Sequence, residues 1–200
     1  MTLIAPVAAM AAIVAASNVG VQFPVAGGWL TWGAFTYPLA FLVTDVTLRL
    51  QGADAARKVV VAGFAAGLLC SLVGTQIEGA FGPMVTLRIA LGSAVAFLCA
   101  QGLDVAVFSA LRGRAWWVPP LVSTLVGSAV DTALFFTIAF AGFLAFPSAW
   151  GDVGWAQEAT GVGPYWVGLA LADWGVKVAV GVLALVPFRL ITARYAQPVA

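Results

Sequence analysis

Six long apolar stretches follow one another along the chain, separated by short segments that hold prolines, glycines and most of the charged residues. Cutting the apolar runs at those residues gives approximate limits of 2–21, 29–48, 58–77, 85–105, 117–143 and 163–190. Each run comes close to the roughly 20 apolar residues that an α-helix needs to cross a membrane. The pattern predicts an all-α integral membrane protein in which residues 1–200 form a single domain of six transmembrane helices.

The composition supports this class and argues against several others. Hydrophobic residues make up 62% of the 200-residue chain, charged residues only 8%, and the mean hydropathy is +1.04. The net charge of +1 gives no electrostatic basis for binding nucleic acid, so the predicted partners are membrane lipids and a small molecule. Histidine is absent and both cysteines lie in apolar runs, so we predict no metal site, no cofactor and no enzymatic activity.

Basic residues predict the orientation of the chain, because cytoplasmic loops of membrane proteins carry an excess of Lys and Arg. Most of the basic residues lie after the second and fourth apolar stretches or at the end of the sixth: Arg49, Arg57, Lys58, Arg112, Arg114, Arg189 and Arg194. The other connections hold acidic residues instead, namely Glu78, Asp152 and Glu158. Both termini are therefore predicted to be cytoplasmic.

Asp131 lies near the middle of the fifth apolar stretch, far from either water phase. A charged residue at that depth costs about 2.5–3.5 kcal/mol of insertion free energy, so something in the protein must compensate for it. Helical spacing places Thr124, Ser128 and Phe135 on the same face as Asp131. That face is small and polar enough to bind a solute. The alternative is that Asp131 pairs with a basic residue only to hold helices together.

Three further polar residues inside the stretches are candidates for the same site. Asp45 lies near the predicted cytoplasmic surface and either belongs to the site or forms a solvated or ion-paired helix end. Arg88 either extends outwards to the membrane surface or turns inwards towards Asp131 or a ligand. Gln101 shares a helical face with Asp104, three residues further on.

Asp173 and Lys177 are four residues apart in the last stretch, with the acid first, which is the favourable order for an ion pair on one helical face. Such a pair lowers the cost of burying either charge. It serves either as a structural staple or as a coupling site that exchanges partners during transport. Because the charges come from four different stretches, a single central site can gather most of them.

Two local patterns concern the helices themselves. The Tyr37-Pro38 step predicts a kink or break in the second stretch, because proline lacks a backbone N–H donor and crowds the preceding turn. The first stretch carries a ridge of small residues at a spacing of four: Ala8, Ala12 and Ala16. This ridge serves either packing within the monomer or an interface with another subunit, including a homodimer.

Several segments together resemble one family. They are SNVG in the first stretch, TYPLAFLVTDVTLRLQGADAARKVV, LRIALGSAVAFLCAQGLDVAVFSALR, STLVGSAVDTALFFTIAF and DWGVKV. In this order they resemble the bacterial queuosine-precursor transporters, also called the vitamin-uptake-transporter family, over nearly the whole chain. The resemblance implies a six-helix inner-membrane protein that imports 7-deazaguanines, chiefly 7-cyano-7-deazaguanine and also the 7-aminomethyl form, for queuosine synthesis in transfer RNA. The first outer loop and residues 147–163 depart from the family pattern.

The implied substrate suggests roles for the polar residues. A deazaguanine presents a ring N–H beside an exocyclic amino group, and one ionised carboxylate can accept both donors. We assign that carboxylate to Asp131, with Asp45 and Ser128 in the same site. The candidates for the donor that the ring carbonyl needs are Asn18, Gln101 and Arg88. The side chains available to flank the flat ring are Phe35, Tyr37, Phe41 and Phe135.

Two other functions fit parts of the pattern. The substrate-capturing subunit of an ATP-driven vitamin or nucleobase importer is also a small protein of about six helices with a small-residue ridge in the first, and this chain contains no Walker A sequence. An intramembrane aspartyl protease needs two close carboxylates, for which Asp45 and Asp131 are the candidates, although the GxGD-type sequence of that class is missing around both. A permease that works without its own ATPase is the leading interpretation.

Overall fold

A computed structural model of the chain describes residues 2–79 and 82–195. Most of this part is helical, in the elements α1 (Ile4–Gly20), α2 (Trp32–Thr36), α3 (Leu39–Gln51), α4 (Ala53–Gly74), α5 (Leu87–Leu111), α6 (Val118–Phe140) and α7 (Tyr165–Tyr195). Residues 1, 80, 81 and 196–200 of the predicted domain lie outside the described residues.

Short antiparallel hairpins occupy the connections α1–α2, α4–α5 and α6–α7. Their two-residue strands are Pro24–Val25 with Leu30–Thr31, Glu78–Gly79 with Gly82–Pro83, and Ala159–Thr160 with Gly163–Pro164. Short 3-10 helices accompany them at Ala26–Gly28, Ser148–Trp150 and Gly154–Gln157. We call this end of the bundle the hairpin end. The opposite end, where Gly52 joins α3 to α4 and residues 112–117 join α5 to α6, is called the basic end.

The predicted break in the second apolar stretch is present. α2 ends at Thr36 and α3 begins at Leu39, with Tyr37 and Pro38 in a turn between them. Pro38 has no backbone N–H with which to continue the helical hydrogen-bond ladder. The second apolar stretch therefore forms two helices, α2 and α3, instead of one.

The helices extend further at the basic end than the hydropathy pattern predicts. α4 begins at Ala53 rather than 58, α5 ends at Leu111 rather than 105, and α7 continues to Tyr195 rather than 190. A fall in hydrophobicity marks where a helix leaves the lipid, whereas its backbone ladder can continue into water. Arg57 and Lys58 consequently lie in the first turns of α4 instead of in a loop.

The distribution of polar and apolar side chains is that of a membrane protein. Four helices, α4 to α7, are long and apolar enough to cross a membrane, and α1 is a shorter apolar helix. Large apolar side chains such as Leu69, Leu183 and Leu190 are exposed on the outside of the bundle, whereas Asp104 and Gln101 are fully buried. Charged and amide side chains are rarely buried in soluble proteins, so this arrangement requires a surrounding lipid phase.

The small-residue ridge on α1 faces outwards. Its members Ala8, Ala12 and Ala16 are exposed, and the buried face of the helix carries a different set: Met10, Val14, Ser17 and Gly20. Gly20 lets α1 approach α2, because a Cβ added there would lie 2.8 Å from the backbone nitrogen of Gly33. Within the described residues, the ridge is therefore not used for packing inside the monomer.

Candidate functional site

A charged cluster forms where α6, α7 and the turn between α2 and α3 meet. The ammonium nitrogen of Lys177 lies 2.7 Å from Oδ2 of Asp131 and 2.5 Å from Oδ2 of Asp173. The Tyr37 hydroxyl donates a hydrogen bond of 2.8 Å to the other oxygen of Asp131. The Thr132 hydroxyl accepts from Lys177 at 2.9 Å and donates to Asp173 at 3.0 Å. These five residues are called the charged cluster below.

Helix geometry explains how the charged cluster assembles. Asp173 and Lys177 are one turn apart on α7, so their side chains reach the same point on the neighbouring helix α6. The break before α3 adds Tyr37, whose ring centre lies 5.3 Å from the Lys177 nitrogen, a cation–π distance. The side chains of Lys177 and Asp131 are only 4% and 6% exposed, so bulk water screens their attraction weakly. The cluster combines two acids with one base.

A cavity of about 400 Å³ lies against the charged cluster. That volume falls in the range of pockets that hold small organic ligands. Its polar lining, apart from the cluster, includes Ser17, Asn18, Gln22, Ser71 and Ser93. Its aromatic lining consists of Trp29, Tyr37, Phe64, Phe97, Phe135, Phe136, Phe140 and Trp155. The cavity thus combines flat apolar walls with charged groups on one side.

The cavity lies towards the hairpin end of the bundle. All three hairpin connections contribute to its lining, through Trp29 from the first, Met84 from the second and Trp155 from the third. Trp29 and Trp155 both pack against Tyr165, with ring centres 5.3 and 6.2 Å apart. The connections therefore form the part of the wall that is furthest from the basic end.

The structure brings six of the predicted site residues to the cavity and places five elsewhere. Those that line the cavity are Asn18, Tyr37, Asp131, Phe135, Asp173 and Lys177. Those that lie outside its described lining are Phe41, Asp45, Arg88, Gln101 and Ser128. Phe35, also considered for the ring wall, is on the outside of the bundle.

Arg88 takes neither of the two positions considered from the sequence. It is buried, and its Nε donates a 2.7 Å hydrogen bond to the carbonyl of Ile138, while its guanidinium also donates to the carbonyl of Ala141. Its Cζ lies 4.9 Å from the centre of the Phe146 ring. The last carbonyls of a helix lack partners within the helix and carry partial negative charge. Arg88 therefore caps the C-terminal end of α6, and this contact needs no ligand.

Phe41 and Ser128 lie in the packed region between the cavity and the basic end. Phe41 is fully buried, and a Cβ added to Gly127 would lie 2.8 Å from its ring. The Ser128 hydroxyl donates to the carbonyl of Leu125 at 3.2 Å, within its own helix. The Phe41 ring thus packs α3 against α6 below the cavity.

A second polar group lies nearer the basic end. Asp45 accepts hydrogen bonds of 3.2 Å from the hydroxyls of Ser123 and Thr124. Asp104 on α5 is buried against the same stretch of α6, with its Cβ 3.5 Å from the position of a Cβ on Gly127, and the two acids are called the acid pair below. Gln101, one turn before Asp104, accepts a 2.6 Å hydrogen bond from Thr44. Asp45 and Asp131 thus belong to different groups, so the geometry does not support the protease dyad considered above.

Several cavity residues have no signal in the sequence. Trp155, Ser71 and Phe97 come from three separate parts of the chain, and neither spacing nor charge connects them before the helices pack. Thr132 is different, because a hydroxyl next to an intramembrane acid is an available hydrogen-bond partner. Its position beside Asp131 was therefore a usable signal for the charged cluster.

The fold and the site define the class of protein. Apolar membrane helices that enclose a cavity large enough for a small molecule, with ion-paired side chains against it, are typical of a transporter. The sequence matches a family model described as "Putative vitamin uptake transporter" over residues 31–192. The chain belongs to this family. It is a multi-pass protein of the bacterial inner membrane.

Named relatives agree with the family assignment. The chain is 35% identical over 189 residues to the "Queuosine precursor transporter" of Escherichia coli (strain K12). That alignment covers 88% of this chain and 79% of the relative. It is 36% identical over 168 residues to the "Probable queuosine precursor transporter" of Haemophilus influenzae, covering 78% of this chain and 66% of that protein. A Bacillus subtilis protein of the same description is 31% identical over 175 residues, covering 78% of this chain and 68% of that protein. No solved structure matches the chain.

Proposed function

We propose that this protein imports queuosine precursors, chiefly 7-cyano-7-deazaguanine and also 7-aminomethyl-7-deazaguanine, across the bacterial inner membrane for queuosine synthesis. The observation that carries the proposal is the cavity of about 400 Å³ with aromatic walls and the carboxylates of Asp131 and Asp173 at one side. A fused bicyclic base is flat and apolar on its faces but polar at its edges. The names of the relatives supply the same substrate class.

The guanine-type edge is complementary to Asp131. Its ring N–H and amino group are parallel donors, and an ionised carboxylate has about four lone-pair positions for accepting hydrogen bonds. Tyr37 and Lys177 each use one position, on different oxygens of Asp131. Two positions therefore remain for the substrate, and Asp173, which also faces the cavity, provides a neighbouring acceptor.

Asn18 is the proposed donor to the substrate carbonyl. One N–H of its amide bonds to the carbonyl of Val14 at 2.9 Å, which leaves a second N–H of the same group for a ligand. Gln101 lies outside the described lining of the cavity, and Arg88 is engaged at the end of α6. We therefore favour Asn18 among the three candidates. The ring would lie beside Phe135 and Tyr37, the two proposed wall residues that line the cavity.

The proposed topology has six crossings, with α2 and α3 together forming one of them and both termini in the cytoplasm. In this orientation the hairpin end faces the periplasm, because its connections carry Glu78, Asp152 and Glu158. The cavity at the hairpin end would then receive substrate from outside. Release to the cytoplasm requires rearrangement of the packed region around Phe41, and the break at Tyr37-Pro38 is a natural hinge for that motion.

One observation favours a second candidate, the substrate-binding subunit of an ATP-driven importer. The exposed ridge of Ala8, Ala12 and Ala16 on α1 would let a helix of another subunit approach closely. A homodimer would use the same ridge. The permease and the subunit differ in whether the chain transports without an ATPase.

Uptake of radiolabelled 7-cyano-7-deazaguanine into proteoliposomes that contain only the purified chain tests the proposal. We expect uptake by the wild type, and no uptake by Asp131→Asn, because the amide nitrogen would face the substrate donors. Asp54→Asn is the matched control, since Asp54 is exposed and its ion pair with Arg57 lies at the surface. Normal uptake by Asp131→Asn would remove Asp131 from the site. Retained binding without uptake, together with co-purification of an ATPase, would favour the second candidate.

A further inference from the structure

The acid pair lies deep in the bundle, separate from the cavity. Asp45 on α3 and Asp104 on α5 are 2% and 0% exposed. Asp45 accepts from Ser123 and Thr124 of α6, and the Cβ of Asp104 lies 3.5 Å from the position of a Cβ on Gly127, about one turn further along the same helix. Thr124, which contacts Asp45, precedes Asp131 by seven residues on α6. At about 1.5 Å per residue, the acid pair therefore lies about 10 Å from the charged cluster, towards the basic end.

Hydrogen bonding leaves the acid pair incompletely satisfied. Asp45 accepts one hydroxyl on each oxygen. Both carboxylate oxygens of Asp104 are buried and have no hydrogen-bond partner in the described part of the chain. The Ser123 hydroxyl donates to Asp45 rather than to Asp104. Nε2 of Gln101, on the Asp104 face of α5, likewise lacks a partner among residues 2–79 and 82–195. A buried polar group without a partner costs about 1–3 kcal/mol, and a charged one costs more.

No cation neutralises the acid pair within the described residues. The ion pairs found there join Arg57 to Asp54 and Lys177 to the two acids of the charged cluster. Apart from those residues and from Arg88, which caps α6, the described helices around the acid pair carry these charged groups: Arg49 on α3, Lys58 on α4, Arg112 next to α5, Arg189 on α7 and the exposed Arg194, also on α7. Arg49 and Lys58 are exposed, Arg112 donates to the carbonyl of Leu48, and Arg189 lies over Trp116. The acid pair therefore differs from the charged cluster, where Lys177 forms an ion pair with both acids.

Two adjacent buried carboxylates cannot both remain ionised without a cation, because burial and mutual repulsion each oppose the second charge. A proton removes one charge and adds an O–H donor, which satisfies one of the unpartnered oxygens. The void beside Asp45 and Thr124 is only about 10 Å³, close to the smallest space that holds one water molecule. It has no room for a hydrated metal ion.

We propose that Asp45 and Asp104 share one proton and form the proton-binding site that couples transport to the proton gradient. Coupling rests on the proposed transport function, whereas the shared proton does not. Because both acids are buried, loading and release of the proton require the same opening of α3 from α6 that frees the substrate. Binding of the substrate and binding of the proton are thus coupled through α3.

Infrared spectroscopy of the purified protein tests the shared proton without any substrate. At neutral pH, wild type should show the C=O stretching band of a protonated carboxyl group. Asp45→Asn and Asp104→Asn should each lose that band, since either change leaves a single acid that can ionise. Asp54→Asn, in an exposed ion pair, should keep it. A band that survives in both acid-pair variants, or that is missing from wild type, would overturn the proposal.

Transport assays test the coupling. A gradient of one pH unit is worth about 1.4 kcal/mol and can drive about tenfold accumulation of 7-cyano-7-deazaguanine at one proton per substrate. Asp104→Asn should lose this accumulation but keep exchange of internal for external substrate. Accumulation by Asp104→Asn equal to wild type, or accumulation driven by a sodium gradient alone, would rule out proton coupling at this site. If wild type shows neither exchange nor uptake, the proposed function fails, and the infrared band still decides whether the proton is shared.

Discussion

Lys177→Met gives the sharpest test of how the charged cluster is held together. Lys177 contacts both Asp131 and Asp173, so its loss leaves two buried acids facing each other without a base. Removing one partner of a buried ion pair costs about 3–5 kcal/mol of folding stability. The cavity beside the cluster lets water relieve part of that cost, which favours the lower end of the range, about 3 kcal/mol. Asp173→Asn should cost much less, because it preserves the 2.7 Å pair between Lys177 and Asp131.

Thermal unfolding in detergent measures the difference. At about 2–4 °C per kcal/mol for a chain of this size, Lys177→Met should lower Tm by about 6–12 °C. Lys58→Met provides the matched control, because Lys58 is exposed on α4 and should change stability by less than about 0.5 kcal/mol. A Tm loss for Asp173→Asn as large as that for Lys177→Met would refute the reasoning. So would a Lys177→Met protein that unfolds at the wild-type temperature.

Two further substitutions test the packing around the site. Gly127→Ala should destabilise the protein by about 1–3 kcal/mol, because the added Cβ would lie 2.8 Å from the buried ring of Phe41. Gly102→Ala is the control in the same unfolding assay, since a Cβ there meets nothing within 4 Å. Arg88→Lys should lower stability by about 1.5–3 kcal/mol, because one ammonium cannot reproduce the two hydrogen bonds with which Arg88 caps α6. Arg57→Lys is the control and should leave Tm unchanged, because Arg57 is exposed. A wild-type Tm for either test variant would contradict the corresponding contact.

The sequence correctly predicted those features of the fold that depend on a single helix. Hydropathy located every long apolar helix, the Tyr37-Pro38 step located the break, and a spacing of four placed Asp173 and Lys177 in one ion pair. Each of these depends on periodicity or on the covalent structure of proline, which are local properties. The ends of the helices at the basic end were less predictable, since a polar helix in water has no hydropathy signal.

Contacts between helices could not be read from the sequence in the same way. Arg88 faces α6 because α5 and α6 pack along their length, and only that packing brings its guanidinium to the carbonyls of Ile138 and Ala141. The contact of α3 with α6 places Asp45 against Ser123 and Thr124, away from Asp131, although both are intramembrane acids. Charge alone suggested one central site, whereas relative rotation and axial position of the helices divide the buried acids into two groups.

Those two groups are connected by a single helix, which gives the proposed mechanism a physical basis. Tyr37 lies in the turn just before α3 and contacts Asp131, and Asp45 lies on α3 eight residues further on, about 12 Å away along the helix axis. In the proposed site, a substrate on the two remaining positions of Asp131 shares that carboxylate with the Tyr37 hydroxyl and weakens the hydrogen bond from Tyr37. A weaker hydrogen bond loosens the hinge end of α3, and any rotation of α3 carries Asp45 away from Ser123 and Thr124. Substrate binding and protonation then both act on α3, so each event changes the free energy of the other.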